Sequence, residues 1–151
     1  MIRIRPVLPE EADCLTQIAL AAKRHWNYPE RWIEIWMPLL TFGREYFESN
    51  ESWAAVDGDQ PIAFYTLLKA NEIASVENLW VLPEYMGQGI GKQLFLHAVA
   101  NAREHGYKTL QLDADPNALG FYERMGMHKI GDRRSEVEGE PRILPIMEMS
   151  L

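Results

Sequence analysis

Apolar residues change their spacing several times along the chain, and each change marks an element. Residues 2–5 alternate, Ile2 and Ile4 against Arg3 and Arg5, which predicts a strand. From Pro9, Glu10 and Glu11 the period lengthens. Leu15, Ile18, Ala19 and Ala22 fall on one stripe of a helix that ends near Lys23 and Arg24, an arrangement of charge that suits the helix dipole. His25-Trp26-Asn27-Tyr28 interrupts the pattern, and Pro29 opens a second helix with Trp32, Ile33, Trp36 and Leu40 at helical spacing. Trp36, four residues from Trp32, reads as core. Ser52 to Val56 and Ile62 to Leu68 then read as strands joined by the hairpin signal Asp57-Gly58-Asp59-Gln60-Pro61. Glu72 to Leu82 reads as a third strand, ended by Pro83.

A glycine-rich turn, Gly87-Gln88-Gly89-Ile90-Gly91, runs into a helix with Ile90, Leu94, Ala98 and Ala102 on one face and Gly106 as its cap. Thr109 to Leu112 is a short strand. Asp115-Pro116-Asn117 is a turn, followed by a helix to about Met125 that Gly126 closes. Met127 to Ile130 and Ile143 to Met149 read as the last strands, joined by a loop rich in charge and glycine that carries Glu136, Glu138, Glu140 and Arg142. This order predicts an α/β (α+β) domain with a mixed, mainly antiparallel sheet, flanking helices and one parallel crossover near the glycine turn. Its 151 residues, without repeats or linker, fit a single domain 1–151 at ~150 residues per domain.

Composition narrows the partners. With 47% hydrophobic and 25% charged residues, a disordered chain and a collagen are excluded. Fifteen Lys and Arg face 22 Asp and Glu, and an acidic chain repels phosphate backbones, so nucleic acid and anionic membranes are not expected partners. The single cysteine, Cys14, makes no intrachain disulfide, and the four His with that Cys lack metal-ligand spacing, so no metal is expected. No secretory leader and no apolar run of ~18 residues is visible, so the expected location is cytoplasmic.

The glycine turn carries the clearest chemistry. Glycine permits positive φ and close backbone approach, and free N–H groups at a helix start can face a phosphate. Lys92 adds a positive charge in the first turn. A Walker loop is excluded by Met86 and Gln93, and a dinucleotide fingerprint by Lys92 and Leu94 at the positions that require glycine. A turn that binds nothing accounts for these few residues equally well in isolation.

The surroundings are more specific. Asn78-Leu79-Trp80-Val81-Leu82-Pro83-Glu84-Tyr85-Met86-Gly87-Gln88-Gly89-Ile90-Gly91-Lys92 resembles the acetyl-CoA-binding segment of the GNAT superfamily of N-acetyltransferases. Asp115-Pro116-Asn117-Ala118-Leu119-Gly120-Phe121-Tyr122-Glu123-Arg124-Met125-Gly126-Met127 is similar to that family's second signature. One departure is Met86, where the family usually has Arg or Gln; one side-chain contact to the cofactor is then lost, and Gln88 or Lys92 are candidates to replace it.

The resemblance implies transfer of an acetyl group from acetyl-CoA to the primary amine of a small molecule or peptide, by direct attack in a ternary complex. It also allows a non-catalytic acyl-CoA sensor of the same fold, and leaves a homodimer open. An alkyl ammonium of pKa ~10.4 costs roughly 4–5 kcal/mol to deprotonate at pH 7, so a base is needed. Glu77 and Asp113 are the candidates the resemblance indicates, each equally readable as a solvated strand-end carboxylate. Tyr122 falls on the family's tyrosine near the cofactor sulfur, a candidate acid, and Asn117 on the asparagine that bonds the cofactor arm. Leu79, Trp80, Val81 and the stretch from Met86 to Lys92 are the remaining cofactor candidates, and His25, Trp26 and Tyr28 are the candidates for the acceptor.

Overall fold

The computed structural model describes residues 1–151. Seven strands form one sheet: β1 (Ile2–Pro6), β2 (Glu51–Asp57), β3 (Gln60–Ala70), β4 (Ile73–Val81), β5 (Thr109–Asp113), β6 (His128–Val137) and β7 (Glu140–Ser150), in the order β1-β2-β3-β4-β5-β7-β6. Every neighbouring pair is antiparallel except β4 and β5. The helices are α1 (Ala12–Arg24), α2 (Glu30–Leu40), α3 (Arg44–Ser49), α4 (Ile90–Glu104) and α5 (Leu119–Arg124). No helix is long and apolar enough to cross a membrane.

Alternation along the strands feeds two cores, one on each face of the sheet. Ala63, Tyr65 and Leu67 of β3 face α4 and α5, where Leu94, Phe95 and Ala98 cover them. Phe64 of β3, with Ala54 and Val56 of β2, faces Leu15, Ile18 and Ala19 of α1 and Ile33 of α2. The period-two strand and the 3.6-period helix stripe therefore meet on the same buried surface. Arg5 grips both Glu11 oxygens at 2.9 and 2.7 Å while the Leu8 N–H donates to the same carboxylate at 2.9 Å, which fixes the entry to α1.

Three elements depart from the sequence reading. The helix α3 has no strong apolar period. It is held by Phe47, which packs among Phe42 and Phe64 with ring centroids 5.5 and 6.0 Å away. Residues 131–142 are not a loop: β6 and β7 pair along their length and turn tightly at Glu138-Gly139, both with positive φ (52° and 78°), the twist that a two-residue hairpin requires. Arg142 thus sits on a strand. Trp36 is half-buried: it packs against the edge of the α1–α2 core and lays its indole beside Lys23 and Arg142.

Candidate active site

The parallel pair β4·β5 is short. It holds Ile73 to Ser75 against Thr109 to Gln111 and goes no further. On its other side β4 carries a bulge: Leu67 pairs with Val76 and Thr66 with Asn78, so Glu77 is the extra residue. Beyond Ser75 the β5-facing edge of β4 has no strand partner, and a cavity of about 640 Å³ opens in the gap. Glu77, Leu79, Trp80 and Val81 line it from β4, Asp113 from the end of β5, and Phe121 and Tyr122 from α5.

The glycine turn forms another wall, through Met86, Gly87, Gly89, Ile90, Gly91 and Lys92. Gly87 and Gly89 both have φ of 81°, and Gly89 is the N-cap of α4. A Cβ at either would meet nothing within 4 Å, so glycine is required there by backbone conformation rather than by space. The N–H groups of Gly87 through Lys92 have no protein acceptor; the first bond of the helix is donated by Gln93 to the Gly89 carbonyl at 3.0 Å. A run of free donors at the positive end of a fifteen-residue helix fits a phosphate-bearing ligand. Met86 lines the cavity and offers no donor. Gln88 is exposed and does not line it; its amide lies 3.4 Å from the Glu84 carbonyl.

Three ionisable candidates reach the cavity in different states. Glu77 accepts a hydrogen bond on Oε2 from the Tyr46 hydroxyl, leaving Oε1 free. Tyr46, on α3, also accepts from Asn78 Nδ2 at 2.9 Å; burial, with Glu77 as its acceptor, raises its pKa. Asp113 is paired with Arg133 of β6, so its charge is already partnered. Tyr122 is buried, with 8% of its surface exposed. Burial, with Asp115 adding to it, raises its pKa, so the hydroxyl stays protonated at neutral pH.

The remaining wall comes from the other face of the sheet, where Ala22 and Trp26 at the end of α1 meet Asp115 and Asn117. Asp115 is the centre of a recessed cluster. It accepts from Lys23 at 2.9 Å, Tyr28 at 3.0 Å, Arg142 at 3.2 Å, and both the backbone and side-chain nitrogens of Asn117 at 2.9 Å. Burial pushes Asp115 up, but Lys23 and these hydrogen bonds outweigh it and hold the carboxyl below its usual value. Lys23 and Arg142 lie over the rings of Tyr28 and Trp36, at 4.3 to 4.9 Å from the centroids. Of the three acceptor candidates, Trp26 lines the cavity. Tyr28 stands behind Asp115, bonded to it. His25 is exposed, away from the cavity, with its ring against Trp26 at 5.0 Å.

Tyr46 and Lys23 had no distinguishing signal in the sequence; Asp115 is marked only as the head of the second GNAT-like segment and Arg142 only by its place in the charged last loop. Asp115 reads as a turn residue, Lys23 as a helix-end cation and Arg142 as part of a charged loop. Their roles exist only through partners 27 to 92 positions away.

A splayed parallel pair, a bulged β4 and a glycine turn with free N–H groups on one cavity are the features that comparison with known proteins then joins to a family. The model of the acetyltransferase (GNAT) family matches residues 17–127. The chain belongs to that family.

Among GNAT relatives, the peptidyl-lysine N-acetyltransferase YjaB of Salmonella typhimurium is 35% identical over 98 residues, 64% of this chain and 62% of that protein. The uncharacterized N-acetyltransferase YvbK of Bacillus subtilis is 30% identical over 86 residues, 54% of this chain and 56% of that protein. The matched segment therefore spans less than two-thirds of either relative. The GNAT fold itself extends over the whole chain. A GCN5-related N-acetyltransferase from Rhodopseudomonas palustris superposes with a TM-score of 0.83 at 25% identity, covering 99% of this chain and 95% of the other. The PaiA N-acetyltransferase from Thermoplasma acidophilum, in complex with coenzyme A, gives 0.78 at 22% identity, covering 100% and 99%.

Proposed function

We propose that the protein is an N-acetyltransferase that moves an acetyl group from acetyl-CoA to the primary amine of a small molecule or peptide, by direct attack in a ternary complex. One observation carries this reading: the glycine turn, whose N–H groups have no protein acceptor, lines the same cavity as Glu77 and Tyr122. Coenzyme A bound to the PaiA relative and the peptidyl-lysine acceptor in the name of YjaB support the two substrate classes.

Acetyl-CoA supplies an acyl group already activated as a thioester. The chain's residues account for the rest. Backbone N–H groups at the start of α4 hold the pyrophosphate, with Lys92 beside them and Met86 contributing only apolar contact. Asn117, on the cavity wall, bonds the pantetheine arm in this reading, as the family resemblance implies. The unpartnered edge of β4 offers N–H groups to negative charge developing on the carbonyl oxygen. Glu77 takes the amine proton through its free Oε1, directly or by way of a water. It is favoured over Asp113, whose charge is committed to Arg133. Tyr122, a phenol protonated at neutral pH on the cavity wall, donates to the departing thiolate.

The test is calorimetric titration with acetyl-CoA followed by thiol release with a panel of amines. Micromolar binding with amine-dependent thiol release is the expected result. Binding without release for any amine would replace the enzyme by an acyl-CoA sensor, and no binding at millimolar ligand would remove both.

A further inference from the structure

Resting on the reading above, we infer that the amine acceptor also carries an anionic group, a carboxylate in the simplest case, and that Lys23 and Arg142 receive it beside Asp115. The charges of that cluster do not balance. The cluster holds two cations and one carboxylate, a net charge of +1, with Lys23 and Arg142 side chains each only 11% exposed and Asp115 14%. Recessed charge without a counter-charge is costly. The chain as a whole is acidic, at −7, so this local excess runs against its composition.

Hydrogen bonding is unbalanced in the same direction. A carboxylate offers about four lone-pair sites. Asp115 already receives donors from Lys23, Arg142, Tyr28 and twice from Asn117. Lys23 spends one of about three N–H groups there and Arg142 one of about five, so several charged donors remain. Arg142 bonds Asp115 through Nη2 alone, and its other guanidinium nitrogens are not among the fully buried side-chain atoms without a partner, of which Trp32 Nε1 is the one case. Asp115 and Asn117 line the cavity; Lys23 and Arg142 do not, but stand directly behind Asp115, bonded to it at 2.9 and 3.2 Å and each still 11% exposed, one carboxylate away from the cavity wall.

The aromatic frame fixes the arrangement. Tyr28 and Trp36 hold both cations against one side of Asp115, with their rings edge-on to each other at a centroid separation of 5.0 Å. Burial pulls the Lys23 pKa below its usual value even with Asp115 opposing, as expected of an ammonium short of negative charge. The planar, forked guanidinium of Arg142 suits two-point contact with a carboxylate.

The experiment compares α- and ω-amino acids with their own carboxamides as acceptors, beside an end-blocked lysine tetrapeptide lacking acidic residues. Wild type is expected to favour the carboxylates by at least tenfold in kcat/KM. Arg142→Gln should lower kcat/KM for carboxylates at least tenfold more than for amides, and Arg142→Lys should restore part of the difference. Thermal melting of both variants checks that they fold. Equal rates with acids and amides, a better rate with the neutral peptide, or an equal loss on both acceptor classes in Arg142→Gln would overturn the inference while leaving the acetyltransferase intact. A second readout needs no turnover: N-acetylated amino acids and their amides are titrated into the CoA-loaded protein. Preferential binding of the acids, lost in Arg142→Gln, sustains the anion site even if no amine is acetylated, which would refute the enzyme reading alone. No preference for the acids there overturns the site.

Discussion

Alanine at Gly89 and alanine at Gly91 should act in opposite directions although the two positions are two residues apart. Gly89 has φ of 81° and ψ of 7°, and an added Cβ would find open space. Its cost is therefore backbone strain alone, about 1–2 kcal/mol for an L residue in the left-handed region. For a chain of this size each kcal/mol lowers Tm by about 2–4 °C, so Gly89→Ala should melt about 2–8 °C lower. If the turn escapes the strain by rotating to negative φ, N–H groups turn away from the cavity. One lost charge-assisted hydrogen bond, about 1.5–3 kcal/mol, weakens CoA binding tenfold or more. At Gly91 φ is not positive, and a Cβ would lie 3.7 Å from Phe121 Cζ and Val81 Cγ2, ordinary contact. Alanine there is expected to leave Tm unchanged or raise it, since helical glycine costs up to ~1 kcal/mol relative to alanine. Calorimetric melting and CoA titration of the two variants decide the matter. A Gly89→Ala protein as stable as wild type with unchanged CoA affinity, or a Gly91→Ala protein destabilised as much as Gly89→Ala, would refute the reasoning.

Tyr122→Phe should lower kcat by about 100-fold, the lower end for a lost general acid, with CoA affinity held within threefold; an unchanged kcat removes the acid role. Glu77→Gln should depress the rate at pH 7 and recover partly toward pH 9, where more of an amine of pKa ~10.4 loses its own proton, whereas Asp113→Asn should matter less. A flat pH–rate ratio between Glu77→Gln and wild type would argue against Glu77 as base. Asp115→Asn leaves Lys23 and Arg142 without their carboxylate and should cost about 3–5 kcal/mol, read as a fall in Tm. The folded carboxyl of Asp115 lies below its unfolded value of ~3.9. Its contribution is thus complete above that pH and is lost as pH falls through the folded value. Glu51 behaves alike: burial raises it, but Lys69, Trp53 and Asn101 hold it at about 2. Urea melts at pH 6, 4 and 3 should show wild type converging on Asp115→Asn in acid; a constant gap would contradict the linkage.

The features legible in the sequence are those whose cause is local. The glycine turn is one: positive φ, a helix start and Lys92 lie within six consecutive residues, so the residue types alone announce the donors. The α1 stripe of Leu15, Ile18, Ala19 and Ala22 is another, because burial on one helix face imposes its period on the chain. Local cause also explains the failures. Most of β6 is exposed, so residues 131–137 carry no alternation, and only pairing with β7 makes them a strand. The helix α3 is six residues long, too short for propensity to decide, and exists because Phe47 and Tyr46 find aromatic partners.

At the cavity the division is sharper. That Glu77 is a carboxylate on a strand was readable; that it is the bulged residue, bonded to Tyr46, depends on the register of β3 against β4. That Asp113 ends β5 was readable; that Arg133 neutralises it depends on β6 lying within reach. The composition, at a net −7, gives no hint that Lys23 and Arg142 gather on one carboxylate. Lys23, Tyr28, Asp115 and Arg142 come from a helix end, a loop, a turn and a strand, and their charges acquire meaning only where low exposure strengthens them. Sequence decides which groups the chain owns and which faces it must bury. Electrostatic interaction falls off within angstroms, so only the tertiary structure decides which charges share a site.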